Sequence, residues 1–337
     1  MAIKPLLRRF QSLGPHGFHE IAYTEWGNPK SQRLVFCVHG FTRNSRDFDV
    51  LAESLAQTSH VVCMDVAGRG ASDWLSHKGD YAFGLYLSDA AALLARVTAP
   101  AATTGIRRMF GKAFLPPKRH VDWIGTSMGG LMGMMLAAKR NSPIRRLVLN
   151  DVGPLVPWPA LVRMKRVHSA LHKKFANFEQ VEHHLRETCA SFGPLSDVQW
   201  RHIVHHSAIR GADGSLILAF DPAIITHMRS GSIAGVEFGN EFLSGVDLWP
   251  TYDAIKCPTL VLRGAESDLL LKKTADEMTR RGPKAELVEF RGIGHAPWLM
   301  TEDQISVVRD FLFAKTADLE YPALREAATG TLQALHS

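Results

Sequence analysis

The stretch that decides the fold is WIGTSMGGLMGM, Trp123 to Met134. A single serine, Ser127, stands there among glycines, between two apolar runs of different character. Before it, HVDWIG is short and suits a β-strand, with Val, Trp and Ile along it. After it, GGLMGMMLAAKR is rich in Leu, Met and Ala, which lose little freedom in a helix. The pattern predicts a strand that turns abruptly into a helix, with Ser127 at the bend.

A serine hydroxyl is a weak nucleophile unless a base takes its proton and donors hold the charge that develops on the attacked oxygen. A bend of this type serves both needs. Gly125 and Gly129 fit G-x-S-x-G, in which small flanking residues tolerate a strained turn and present the serine above the sheet. The helix that starts there offers unpaired backbone N–H groups, that of Met128 first.

Outward from the bend, β-rich runs alternate with amphipathic ones: RLVFCVHG, SRDFDVLAESLAQ, HVVCMDVAG, FGLYLSDAAALLARV, VDWIGTS, and later RRLVLNDVG, CPTLVLRG and AELVEFRGIG. The strands are continuous apolar runs, as expected where helices cover both faces of a parallel sheet. An α/β class with a mostly parallel, doubly wound sheet follows. A last helix is expected to start at Thr301, where Thr301 and Gln304 have capping-box spacing. Between residues 154 and 250 the alternation stops and the chain reads as several helices. That predicts an inserted helical cap (154–250) on a core made of 1–153 and 251–337, with the tail after Lys315 peripheral.

Composition bounds the function. Of 337 residues, 46% are apolar and 21% charged, which describes a soluble globular chain with a sizeable core. No run approaches the roughly 18 apolar residues of a membrane span, and the N-terminus has no apolar stretch of the secretory kind. Cys37, Cys63, Cys189 and Cys257 are widely spaced, without a CxxC pair, which suits reduced thiols in the cytoplasm. The net charge of +6 resides mostly in residues 99–119, which hold five cations and no acid; no nucleic-acid-binding module is visible, and the segment reads as a basic surface insertion. The cap segment carries eight of the sixteen histidines. His202 and His206 are four apart, a spacing that can chelate zinc, but no acid completes an HExxH arrangement, so a solvated histidine face and no metal are expected. There is no P-loop and no dinucleotide-binding glycine pattern, so no cofactor is expected.

Four separated signatures resemble those of the α/β-hydrolase superfamily, the esterase, lipase and epoxide-hydrolase group: VHGFTRNSRDFD (38–49), DVAGRGASDW (65–74), GTSMGG (125–130) and GIGHAPWL (292–299). The resemblance implies an α/β-hydrolase fold over most of the chain, with Ser127 as nucleophile, His295 as general base, and the backbone N–H groups of Phe41 and Met128 as oxyanion donors. The order of serine, acid and histidine is that of this fold. For the acid, the resemblance favours Asp268 in TLVLRGAESDLLL, with Glu266 as a rival and Asp151, at the end of the sixth strand, as a third candidate. Its task is to hold the histidine tautomer and stabilise the imidazolium. A serine nucleophile speaks against dehalogenase and epoxide-hydrolase chemistry, which this family runs with aspartate.

The expected activity is hydrolysis of a small-molecule carboxylic ester with a short to medium acyl chain through an acyl-enzyme. Acyl transfer, carbon–carbon bond hydrolysis and non-catalytic ligand binding are the alternatives on the same scaffold. Trp158, Trp249 and Trp298 are candidate pocket-lining residues.

Overall fold

The computed structural model describes residues 3–99, 119–157, 159–160, 173–227, 232–233, 236–237, 246–314 and 325–326. The basic segment, apart from its two ends, the tail beyond Ala314 except for residues 325–326, and Trp158 lie outside the described residues. Eight strands form the main sheet: β1 (Leu6–Gly14), β2 (Gly17–Gly27), β3 (Leu34–Val38), β4 (His60–Met64), β5 (Val121–Thr126), β6 (Ile144–Asn150), β7 (Thr259–Gly264) and β8 (Glu286–Phe290). Their order is β1-β2-β4-β3-β5-β6-β7-β8, and a short bridge at Arg325–Glu326 extends the β8 edge. β1 and β2 form an antiparallel hairpin, β2 runs antiparallel to β4, and every other neighbouring pair is parallel.

The unbroken apolar runs of β3 and β4 are explained by burial of every residue in them. Side chains alternate across a strand. Phe36, Val38, Val62, Met64 and Trp123 therefore enter one core, and Val35, Cys37, Val61, Cys63 and Ile124 the other. The first core is closed by α2 (Phe83–Thr98) and α3 (Met128–Ala137), the second by α1 (Asp49–Leu55) and by α7 (Glu302–Phe313), the last helix among the described residues. Helices cover both faces, as the sequence pattern implies.

The expected capping box at the start of α7 does not form. Thr301 is the N-cap residue but makes no side-chain cap bond, because Gln304 Oε1 instead accepts the Leu299 N–H at 2.7 Å, tying the helix to the loop that follows β8. Among the described residues of 154–250, none joins the main sheet. They form α4 (Phe178–Thr188), α5 (Asp197–Ser207), whose Ser196 and Gln199 do make a capping box, and a small hairpin of Ala208–Arg210 with Leu216–Leu218. The two ends of the segment meet: Leu155–Val156 pairs antiparallel with Val246–Asp247, and the Leu248 N–H donates to Pro154 O at 2.6 Å. Between β7 and β8 lies α6 (Lys272–Met278).

Candidate active site

Ser127 stands in the left-handed region, at φ 51° and ψ −114°, at the junction of β5 and α3. A non-glycine residue holds such a conformation only when its surroundings fix it. Here Ser127 N–H donates to Asn150 O on β6 at 3.0 Å, and Gly130 N–H donates back to Ser127 O at 2.9 Å. The flanking glycines are required by close approach: a Cβ on Gly125 would collide with the Gly129 and Gly130 backbone, and one on Gly129 with Val38 O. The bend read from the sequence is thus a packed corner between three strands.

The loops after β3, β5, β6 and β8 converge above the C-terminal edge of the sheet, the usual place for ligands in open α/β sheets. The β8 loop brings His295 to the serine, with Nε2 at 3.0 Å from Ser127 Oγ. The β6 loop supplies the carboxylate: Asp151 Oδ2 lies 2.7 Å from His295 Nδ1. This corrects the preference for Asp268. Asp268 and Glu266 are both solvent-exposed on the β7 loop, whereas Asp151 is fully buried.

The β7 loop still takes part, through a residue the sequence reading passed over. Ser267 Oγ donates to Asp151 Oδ2 at 2.5 Å, and Gly264 N–H donates to Asp151 Oδ1 at 2.9 Å. Three donors on one buried carboxylate fix its orientation and satisfy its charge. Asn150 adds a further brace, donating from Nδ2 to Thr126 Oγ1 at 3.0 Å and to Pro297 O at 2.9 Å, which ties β5, β6 and the histidine loop together. With Asp151 accepting from Nδ1–H, His295 Nε2 is free of its proton and can accept one from Ser127. The chain Ser127–His295–Asp151 can thereby carry a proton off the serine oxygen.

The loop after β3 lies on the other side of the serine. A Cβ on Gly40 would stand 3.8 Å from Ser127 Cβ. Two buried side chains hold this loop. His39 accepts the Val66 N–H on Nε2 at 3.0 Å, so its Nδ1 carries the proton and donates to Gly40 O at 2.6 Å. Burial, reinforced by the Arg69 and Arg43 charges, drives the His39 pKa down to about 3, so it is a neutral strut. Arg69, fully buried, donates from Nε to Phe41 O at 2.9 Å and from Nη1 to Ala67 O and Tyr86 Oη. Its Nη2 stands 4.0 Å from Met128 Sδ. Arg69 therefore touches both residues whose N–H groups are the expected oxyanion donors.

A cavity of about 100 Å3 opens beside Ser127 and His295. It is small against the 300–1,000 Å3 common for ligand sites. Its walls come from the β3 loop (Phe41, Arg43), the histidine loop (Pro297, Trp298) and the segment between β6 and β7 (Leu185, Phe192, Phe220). Trp298 lines it as expected. Trp249 does not: it packs edge-on against Tyr252 at 5.6 Å with Arg281 stacked 4.2 Å over its ring. The histidine loop is also held from above, since Gly294 N–H donates to Ser191 O at 2.6 Å.

His202 and His206 do not form a solvated face. Both are half-buried against the turn before α1, where His202 Nε2–H donates to Arg46 O at 3.0 Å and Arg46 Nη1 donates to His206 Nδ1 at 3.3 Å. Asp49 brings a third ligating atom within 4.8 Å of theirs. The Arg46 guanidinium already fills that space, forking onto Asp49 at 2.5–2.9 Å.

With this geometry in view, the family model described as the Alpha/beta hydrolase family matches residues 35–308. The chain belongs to that family. It is 38% identical over 314 residues to a 3-hydroxybutyrate-oligomer hydrolase of Cupriavidus necator, covering 92% of this chain and 99% of that protein. It is 28% identical over 276 residues to esterase Rv0045c of Mycobacterium tuberculosis, covering 81% and 77%. Among solved structures, an α/β hydrolase from Novosphingobium aromaticivorans aligns with a TM-score of 0.74 at 31% identity, covering 93% of this chain and 99% of that one. These likenesses support ester hydrolysis, and no helix among the described residues is long and apolar enough to cross a membrane.

Proposed function

We propose that this chain is a serine hydrolase of small carboxylic esters that works through an acyl-enzyme, with Ser127 as nucleophile, His295 as general base and Asp151 as the orienting acid. The observation that carries it is the hydrogen-bonded run from Ser127 Oγ to His295 Nε2 (3.0 Å) and from His295 Nδ1 to Asp151 Oδ2 (2.7 Å). His295 takes the hydroxyl proton as Ser127 attacks the ester carbonyl, then returns it to the departing alcohol; water repeats the cycle on the acyl-enzyme. The N–H groups of Phe41 and Met128 receive the developing oxyanion, supported by the His39 and Arg69 braces beneath them.

The segment 154–250 serves as a cap, a reading supported by its joined ends and by the residues it contributes to the cavity wall. A small cavity favours short to medium acyl groups. The likeness to the Cupriavidus protein makes short oligomers of 3-hydroxybutyrate the first natural-type substrate to assay. In the test, a fluorophosphonate should label wild-type protein at Ser127, and Ser127→Ala should lose both labelling and ester hydrolysis while keeping its melting temperature. A folded Ser127→Ala variant that still turns over would refute the proposal.

A further inference from the structure

Among the residues that line the cavity with Ser127, Arg43 is the one permanent cation, and the mechanism above gives it no task. It is buried at 9% exposure and held to Asp47 through one edge of its guanidinium only: Nε donates to Oδ2 at 2.8 Å and Nη2 to Oδ1 at 2.6 Å. A guanidinium has five N–H groups in a planar fork and can seat a second carboxylate on its other edge. Among the described residues Nη1 has no partner there. The Trp298 ring, 5.4 Å from the Arg43 carbon Cζ, braces the group from one face.

On the far side of Phe41, Arg69 bonds neutral acceptors only and has no carboxylate ion pair among the described residues.

The nucleophile and the Arg43 side chain lie close together. The point where a Gly40 Cβ would stand is 3.7 Å from Arg43 Cγ and 3.8 Å from Ser127 Cβ, so the arginine stem and the nucleophile flank the same spot. In an ester whose alcohol part is a β-hydroxy acid, the attacked carbonyl carbon and the free carboxylate carbon are four bonds apart, on the order of 5 Å.

We propose that Arg43 is a substrate-binding residue that receives a free carboxylate, so that the enzyme selects O-acyl β-hydroxy acids over their neutral counterparts. The inference rests on the ester-hydrolase reading above and adds the substrate's charge to it. Asp47 holds the fork in place, and Arg43 reads the acid end of the chain being cut.

The experiment compares acetate release from 3-acetoxybutanoate and from its methyl ester, which has the same acetyl ester bond and no charge. Wild-type kcat/KM should favour the acid by about 10- to 100-fold, the scale of a charge-assisted hydrogen-bond pair. Arg43→Gln should bring the acid-to-ester ratio near one, and Arg43→Lys should retain part of it. Wild-type protein gives a second readout that needs no variant: 3-hydroxybutanoate should inhibit hydrolysis of the methyl ester competitively, and 3-hydroxybutanamide should inhibit at least ten times more weakly. If wild type cleaves neither ester, the ester-hydrolase reading falls and the carboxylate receptor with it. If it cleaves both with a ratio near one, if the ratio survives in Arg43→Gln, or if acid and amide inhibit alike, the receptor alone is overturned.

Discussion

Replacing Asp151 by asparagine keeps the side chain's size and changes one oxygen into an NH2 group. In the native site three donors converge on the carboxylate: His295 Nδ1–H and Ser267 Oγ–H on Oδ2, and Gly264 N–H on Oδ1. An asparagine can present its oxygen to only one of these positions. If the amide oxygen keeps His295, the NH2 group faces the Gly264 N–H, two donors in a fully buried place, at a cost of about 1–3 kcal/mol. If the amide turns over, its oxygen satisfies Gly264, while the NH2 meets His295 Nδ1 and the Ser267 hydroxyl, whose oxygen already accepts the Leu269 and Leu270 N–H groups at 3.2 and 3.1 Å. That second arrangement forces the proton onto His295 Nε2, where the ring can no longer accept the proton of Ser127.

The expected loss in kcat is about 10³- to 10⁴-fold, the scale set by the same change in a serine protease triad and equal to about 4–5.5 kcal/mol in the barrier. Asp268→Asn, on an exposed side chain, should stay within about threefold of wild type. The assay is steady-state hydrolysis of p-nitrophenyl butyrate by the three proteins, with circular-dichroism melts to show that each is folded. A thousandfold loss in Asp268→Asn, or less than a tenfold loss in Asp151→Asn, would refute the argument.

Stability should carry the mark of His39. Its pKa is about 3 in the folded state and near 6.5 when unfolded, so the unfolded chain binds a proton that the folded one refuses. That contribution is fully present above pH 6.5 and is lost as pH falls from there toward 3, amounting to about 2 kcal/mol by pH 5. Asp65, whose carboxyl burial pushes up to about 6, titrates nearby with the opposite sign. The measurement is therefore the difference in urea-unfolding free energy between pH 8 and pH 5 for wild type against His39→Gln; equal pH dependences would refute it. Across p-nitrophenyl esters from acetate to palmitate, kcat/KM should peak at short to medium chains, each methylene adding up to about 0.8 kcal/mol until the cavity wall is met. A steady rise to palmitate would show that the cap opens freely.

The sequence by itself determined the parts of this protein that are local. The strand–Ser127–helix bend is legible because Gly125 and Gly129 are demanded by a corner built from neighbouring residues, and His295 is legible because its glycines surround it in the chain. The apolar runs of β3 and of β4 after His60 announce a sheet buried on both faces for the same reason: the burial of each apolar residue is written in its own hydropathy. Which carboxylate meets His295 was decided only by the tertiary structure. β6 and β7 are adjacent parallel strands, and both end in loops that carry acids near the histidine loop. The left-handed turn at Asp151 (φ 53°) and the donors arriving from Gly264 and Ser267 favour one loop's carboxylate over the other's, and a pattern read along one strand does not contain its neighbour. The same holds for the pairing of His202 and His206 with Arg46: a charge in a sequence has a sign, but its partners, and hence its energy, are set here by groups 156 and 160 residues away.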